Sequence, residues 1–409
     1  MIGASALLIG LAGSSATAQS FKLIGDLAGG TSFSTALAIS ADGKVVVGKS
    51  SGSNGFEAIR WTESGGVVGL GDLAGGIFNS EATGVNSNGS VITGTANGPN
   101  GKEAFRWSQA TGMITLDATI PNSSFAGDMS DSGAVVTGYI TGGVQSFEAY
   151  RWTSSTGIVG LGDLPGGEVY SVGTAVSANG AVIVGSSAGI NGTEAFRWTQ
   201  SAGMVGLGFL SNFEYDSDAL AVNPDGSVVV GVSLTALGQE AFRWSQSSGM
   251  IGLGDLAGGL YGSQAWGVSD NGSVVVGQGL TSNGNEAFIW DTTHGIRNLK
   301  SVLVSQYGLG SQIGSWTLTR ATAITGDGKI IVGSATNAAG DVRGFIANLT
   351  ESTCYADCDQ NGTLNIFDYV CFGSYFAAQV NAVADCDHNN VLNLFDYICF
   401  GNAYSAGCP

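Results

Sequence analysis

The 409-residue sequence predicts an all-β chain, a seven-bladed β-propeller built from repeats of about 46 residues, followed by a small α domain with two loop–helix motifs. Three observations carry this. A phrase close to "EAFRW" recurs with Trp at 61, 107, 152, 198, 244 and 290, spaced by 46, 45, 46, 46 and 46 residues, and a degenerate copy begins at Arg343. A second phrase, "VSDNGSVVVG" and its variants, occurs seven times. All six cysteines and two Asp/Asn-rich loops are confined to the last 56 residues.

Each repeat offers four short strands, "AFRWT", "MVGLGDL", "AxGVS" and "VVVGxS". A high Gly count of 67 against 5 Pro, with abundant Val, Thr and Ser, suits many strands joined by tight turns. The Asn-Gly or Asp-Gly before "VVVG" predicts a two-residue type I′ hairpin, whose central residues both need positive φ. Four strands in about 46 residues match one propeller blade. The chain starts mid-repeat at "FKLIGDL" and ends on the missing piece, "GFIANL". That offset predicts that first and last strands share a blade and close the ring. A stacked solenoid, the competing architecture, has no need of it. The expected boundaries are residues 1–18, 19–350 and 351–409.

The repeats resemble those of the extracellular HAF family, over roughly residues 21 to 350. Glu stands here where the family's His-Ala-Phe triplet has His. The resemblance implies an exported, propeller-like protein and no particular catalysis.

A net charge of −18 argues against nucleic acid or an anionic membrane surface as partner. The apolar run Ala6–Ala12 followed by Ala16-Thr17-Ala18 fits a secretory signal cleaved after Ala18, although no Lys or Arg precedes Lys22. No apolar stretch reaches the 18 residues of a transmembrane segment. Export is therefore expected.

Residues present in every repeat read as structural, because an active site needs one constellation. The repeated Trp is expected between blades. Glu57, Glu103, Glu148, Glu194 and Glu240 each precede an Arg (60, 106, 151, 197, 243) by three positions, opposite in direction on a strand. They are expected to pair between neighbouring blades as a ring of ion pairs. "GLGDLA" fits a dinucleotide pattern and "GKSSG" and "GSSAG" a nucleophile elbow, but the surroundings suit neither. The only histidines are His294 and His388, which leaves little basis for a Ser-His-Asp triad.

Departures from the repeat say more. Loops ahead of the "AxGVS" strand carry aromatics: Phe33, Phe78, Phe125, Tyr170, Tyr215, Tyr261 and Trp316. On one propeller rim they would form a ligand face suited to stacking on sugar rings, the alternative being hydrophobic plugging of the loops. Glu214, Asp216 and Asp218 form an acidic cluster in one loop, and residues 300–320 carry an insertion. The expected function is non-catalytic binding or structure. The alternative is a polysaccharide-active enzyme using Glu214, Asp216 or Asp218 as acid–base residues.

The tail poses a different problem. "DCDQNGTLNIFD" places Asp357, Asp359, Asn361, the Thr363 carbonyl, Asn365 and Asp368 at positions 1, 3, 5, 7, 9 and 12 of a calcium loop. "DCDHNNVLNLFD" repeats the pattern with Asp385, Asp387, Asn389, the Val391 carbonyl, Asn393 and Asp396. Two Ca²⁺ ions are expected, with folding of the tail coupled to their binding, since no Lys or Arg follows residue 350. The six cysteines allow 15 pairings, and internal symmetry favours Cys358–Cys371 and Cys386–Cys399, leaving Cys354–Cys408. A zinc site is the weaker alternative.

Asp at position 12, a short helix after each loop and the duplication resemble dockerin domains, and the cysteines with the terminal "AGCP" are most similar to GC-type dockerins. The resemblance implies attachment to a cohesin-like or other surface scaffold protein. Positions 10 and 11, often polar in cellulosomal dockerins, are Ile366-Phe367 and Leu394-Phe395 here. With Tyr369 and Tyr397 these read either as a hydrophobic docking face or as the small domain's core.

Overall fold

The computed structural model describes residues 19–99, 101–116, 123–142, 146–350, 358, 364–380, 384–386 and 391–406. The expected signal segment, residues 1–18, lies outside them. One compact unit runs from Ser20 to Leu349, and a second contains Thr350–Pro409.

In the larger unit the chain runs as antiparallel four-strand meanders. The first comprises an inner strand Gly29–Ile39, a second Val46–Gly52, a third Gly55–Thr62 and an outer strand Gly66–Gly69. Among the described residues this meander occurs seven times. The last takes Thr317–Ile324, Ile330–Thr336 and Val342–Asn348 from the end of the repeats. Its outer strand is Ser20–Leu23 from the beginning, with Phe21 opposite Ala347. The sequence offset thus closes a ring, which a solenoid would not do. Single parallel bridges join successive meanders on one rim, as between Phe33 and Val342 and between Phe147 and Tyr170. The architecture is a β-propeller.

Local chemistry explains the repeated phrases. In "VVVG" the glycine lies opposite a bulge in the inner strand. A Cβ at Gly138 would stand 1.8 Å from the carbonyl oxygen of Phe125, and one at Gly231 1.9 Å from that of Asp218. The hairpin before it forms, but not as type I′: Gly43 has φ 70°, whereas no Asp or Asn of these turns has positive φ. The turn is closed instead by the residue that opens it. The Ser40 hydroxyl and the Asn223 amide oxygen accept the backbone N–H five residues on, from Val45 and Val228. A polar anchor at that point satisfies a donor that burial would otherwise leave unpaired.

The apolar core lies between adjacent meanders. Trp61 packs with Ile24 and Val332 of the preceding meander, and the indole N–H of Trp152 donates to the Leu116 carbonyl across the junction, 3.0 Å away. The Trp expectation holds. The expected ring of Glu–Arg ion pairs does not. Arg197 and Arg243 donate through Nε to the carbonyls of Gly226 and Gly272, in the hairpin of the next meander, at 3.0 and 2.8 Å. Glu57, Glu194 and Glu240 accept the N–H of Gly71, Gly208 and Gly254 in the "GLG" segment. The reason is strand geometry: three residues separate the two groups by about 10 Å along the strand. Neighbouring meanders repeat that offset, so acid and base stay at different heights. The "GLG" string is thus a seat for a carboxylate of its own sheet, since a Cβ at Gly69 would fall 2.2 Å from the Glu57 Oε1.

The insertion forms two short helices, α1 (Leu299–Ser305), capped by Asn298, and α2 (Gly310–Ile313). Their buried Leu299, Val302, Leu303 and Ile313 extend the core, and the Gln312 side chain accepts the Phe21 N–H of the closing strand. In the smaller unit, α3 (Ile366–Ala377) and α4 (Leu394–Ala406) pack on each other.

Candidate functional site

Three places hold the candidate residues: one rim of the propeller, its central channel and the tail. On the rim, four rings run in sequence from one meander to the next. Phe125 stacks on Tyr139 with centroids 4.5 Å apart, Tyr139 meets Phe147 at 5.5 Å, and Phe147 meets Tyr170 at 5.8 Å. The register places them there: Phe125 pairs across strands with Tyr139, and Phe147 with Tyr170. Asp216 and Asp218 follow in the next meander. Burial first, then the charges of Asp218 and Asp216, raises the Tyr170 phenol above its ordinary value. Burial and Asp218 likewise raise Asp216.

The structure therefore brings Phe125, Tyr170, Asp216 and Asp218 together. The other predicted rim residues stand apart. Phe33 lies edge-on to Phe56, and Tyr215, beside Phe209, donates to the Asn212 carbonyl. Phe78 is half-buried at another junction. Tyr261 bonds Glu240, with burial the larger cause and Glu240 the next in pushing its phenol up to about 12. Trp316 packs on the core beside the inserted helices, and Glu214 faces solvent. His294 binds the Asp291 carboxylate through Nδ1 at 2.9 Å. Asp291 also pairs with Arg297.

The inner strands enclose a channel of about 470 Å³ to which every meander contributes. Leu37, Thr83, Gly127, Thr174, Leu220, Trp266 and Thr322 occupy one equivalent position around it. Two polar departures from the repeat line it. Asp128 stands where the other inner strands have Ala38, Gly84, Ala175, Ala221, Gly267 and Ala323. Its carboxylate accepts the Met129 N–H at 2.7 Å and, from the next meander, that of Val176 at 3.1 Å. Burial pushes its carboxyl up to about 6. Arg320 is the second. Both were missed in the sequence, although aligning the seven "AxGVS" strands shows Asp128 at a position otherwise Ala or Gly and Arg320 as the one base at a position that varies.

In the tail, Cys358–Cys371 and Cys386–Cys399 are disulfide-bonded, with Cα atoms 5.7 and 5.8 Å apart. Cys354 and Cys408 lie outside the described residues. Asp368 and Asp396 are fully buried at the helix starts. The first accepts the Asn365 N–H and the second those of Asn393 and Cys386. The helices are related by a pseudo-twofold. Tyr369 packs on Phe400 at 5.0 Å, Tyr397 on Phe372 at 5.1 Å, and the two phenylalanines stack at 4.3 Å. Tyr369 thus packs against the core, while Tyr397 touches it with one face and stays 37% exposed. The pairs at positions 10 and 11 are surface: Ile366 67%, Phe367 66%, Leu394 71% and Phe395 67% exposed, continued by Val370 and Ile398.

Of the expected calcium ligands, Asn365, Asp368, Asp385, Val391, Asn393 and Asp396 are described. Asp357, Asp359, Asn361, Thr363, Asp387 and Asn389 are not. Among the described residues no group of three or more His, Cys, Asp or Glu side chains converges. The residues present nevertheless suit a hard cation, since these buried carboxylates sit in a segment without Lys or Arg and accept only backbone N–H groups in the bonds above.

No protein-family model matches the sequence, and no curated relative matches it, so neither HAF repeats nor a dockerin finds support there. Solved structures match the fold. An oligogalacturonate lyase from Vibrio parahaemolyticus aligns at TM-score 0.50 and 10% identity over 82% of this chain and 98% of its own. The β-propeller domain of the Trilobed protease from Pyrococcus furiosus aligns at 0.47 and 11%, over 76% and 92%. TolB from Acinetobacter baumannii aligns at 0.44 and 13%, over 76% and 82%. The first corrects one expectation. A fold shared with a lyase is one that carries catalysis, so the propeller gives no ground for a non-catalytic assignment. Among the described residues no helix is long and apolar enough to cross a membrane.

Proposed function

We propose that this is an exported two-part recognition protein, whose tail docks it onto a surface or scaffold protein while the propeller rim holds a saccharide. The observation that carries the reading is the exposure of Ile366-Phe367 and Leu394-Phe395 at equivalent places on two helices that pack on each other through Phe372 and Phe400. Apolar side chains this exposed, repeated by a pseudo-twofold, suit a hydrophobic contact with another protein. The proposed Ca²⁺ ions, held by the twelve ligands named above, would neutralise the buried carboxylates and set the loops that lead into α3 and α4. The two disulfides suit an oxidising, extracytoplasmic location.

The rim reading rests on the ladder from Phe125 to Tyr170 beside Asp216 and Asp218. Aromatic faces stack on sugar rings, and carboxylates accept hydrogen bonds from their hydroxyls.

Capture by the immobilised full-length chain from an envelope extract, in calcium and released by EDTA, tests the docking half. The reading expects one released protein, lost in the F367S/F395S double variant, whose changes touch only exposed side chains. Equal capture by that variant, or none by the wild type, contradicts it.

A further inference from the structure

We infer that Arg320 marks a site for a singly charged carboxylate ligand in the central channel. The position is one that the repeat leaves free to vary: its equivalents are Thr35, Glu81, Phe125, Val172, Asp218 and Gln264. The guanidinium is held from two sides. Its carbon lies 4.7 Å from the Trp266 ring centroid, and its Nε donates to Gln278 Oε1 at 2.8 Å. Gln278 in turn donates to Gln264 at 3.0 Å, and Gln264 to Gln239 at 2.8 Å. A relay of three amides and an indole thus fixes one edge of the guanidinium and leaves the other free. The two terminal nitrogens make no hydrogen bond or ion pair within the described residues.

Arg151, Arg197 and Arg243 likewise donate through Nε alone, but to backbone carbonyls of the hairpins and away from the channel, whereas Arg320 lines it. The chain has 32 acidic residues and a net charge of −18, yet among the described residues none pairs with Arg320. Burial alone lowers the Arg320 pKa, with no carboxylate opposing it. A rigid, partly desolvated guanidinium offering two parallel N–H groups matches a carboxylate in a bidentate geometry, at little further entropy cost. The rest of the channel narrows the class. Asp128, Asp131 and Asp270 also line it, and they would repel a polyanion or a doubly charged phosphate. The cavity, about 470 Å³, admits a ligand of monosaccharide size. The site does not depend on the rim ladder.

Titration calorimetry on the full-length chain, with glucuronate and lactate as carboxylate probes and glucose as the neutral counterpart, tests the inference. Glucuronate is expected to bind at least about 10-fold tighter than glucose, and R320Q to lose at least about 10-fold. Lactate binding as well would place recognition in the carboxylate, whereas glucuronate alone would add the sugar body. R151Q, which removes a bond to the Gly180 carbonyl at a different place, should bind as the wild type does. Should R320Q not fold, Q278L frees the guanidinium while leaving it in place, and a smaller loss is expected. Failure of both acids to bind, or undiminished binding by R320Q or by Q278L in its stead, overturns the inference.

Discussion

The hydroxyl of Ser171 accepts the backbone N–H of Ala149, 22 residues earlier and one meander back, at 2.9 Å, and donates to the Gly162 carbonyl. The same bond joins Ser80 to Ala58, Ser124 to Ala104, Ser217 to Ala195 and Ser263 to Ala241. These buried serines are blade-to-blade latches, which is why a Ser ends each of these loops. The S171A variant leaves the Ala149 N–H unpaired in the interior, and a loss of about 1–3 kcal/mol is expected on urea denaturation. S171T, which keeps the hydroxyl, should recover part of it.

The separate bonding of motif Glu and Arg makes a sharper prediction. R243M loses the bond to Gly272, an expected cost of about 1 kcal/mol, while E240Q keeps an oxygen to accept from Gly254. A double-mutant cycle on this pair should give a coupling under about 0.5 kcal/mol. A larger favourable coupling would restore the ion pair.

Asp128 should make stability depend on pH in a direction opposite to most carboxylates. Its folded pKa, about 6, lies above the ordinary 3.8, so the folded state holds the proton more tightly than the unfolded one. Its contribution is therefore fully present below about 3.8 and lost as pH rises to about 6. D128N cannot ionise. Its amide keeps an oxygen for only one of the Met129 and Val176 N–H groups, so relative to wild type its melting temperature should start lower near pH 4, climb between pH 4 and 6, and hold constant above. A difference independent of pH would show that burial does not govern this group.

The ladder predicts that Y170A is retarded less than wild type in affinity electrophoresis through acidic or neutral polysaccharide gels. F33A, remote from Asp216 and Asp218, should migrate unchanged.

The propeller was legible because period and offset are properties of the chain alone: the Trp spacing set the meander, and the start within "FKLIGDL" foretold that Ser20–Leu23 would pair with Val342–Asn348. Internal symmetry likewise foretold Cys358–Cys371 and Cys386–Cys399. What sequence left hidden depends on height and direction within the ring. Glu240 and Arg243 look like partners in one dimension and sit at different levels in three. The seven loop aromatics look equivalent, yet Tyr170 joins a ladder, Tyr261 bonds Glu240 and Trp316 enters the core. Asp128 and Arg320 were visible only as exceptions in an otherwise repeated strand, against a background in which many positions vary.

The central claim is that the tail is a calcium-clasped docking module, and the most direct test is the calcium stoichiometry of the full-length chain by titration calorimetry. Two ions per wild-type chain, one in D368A, one in D396A and none in the double variant are expected. No uptake by wild type, or uptake untouched by both substitutions, would contradict it.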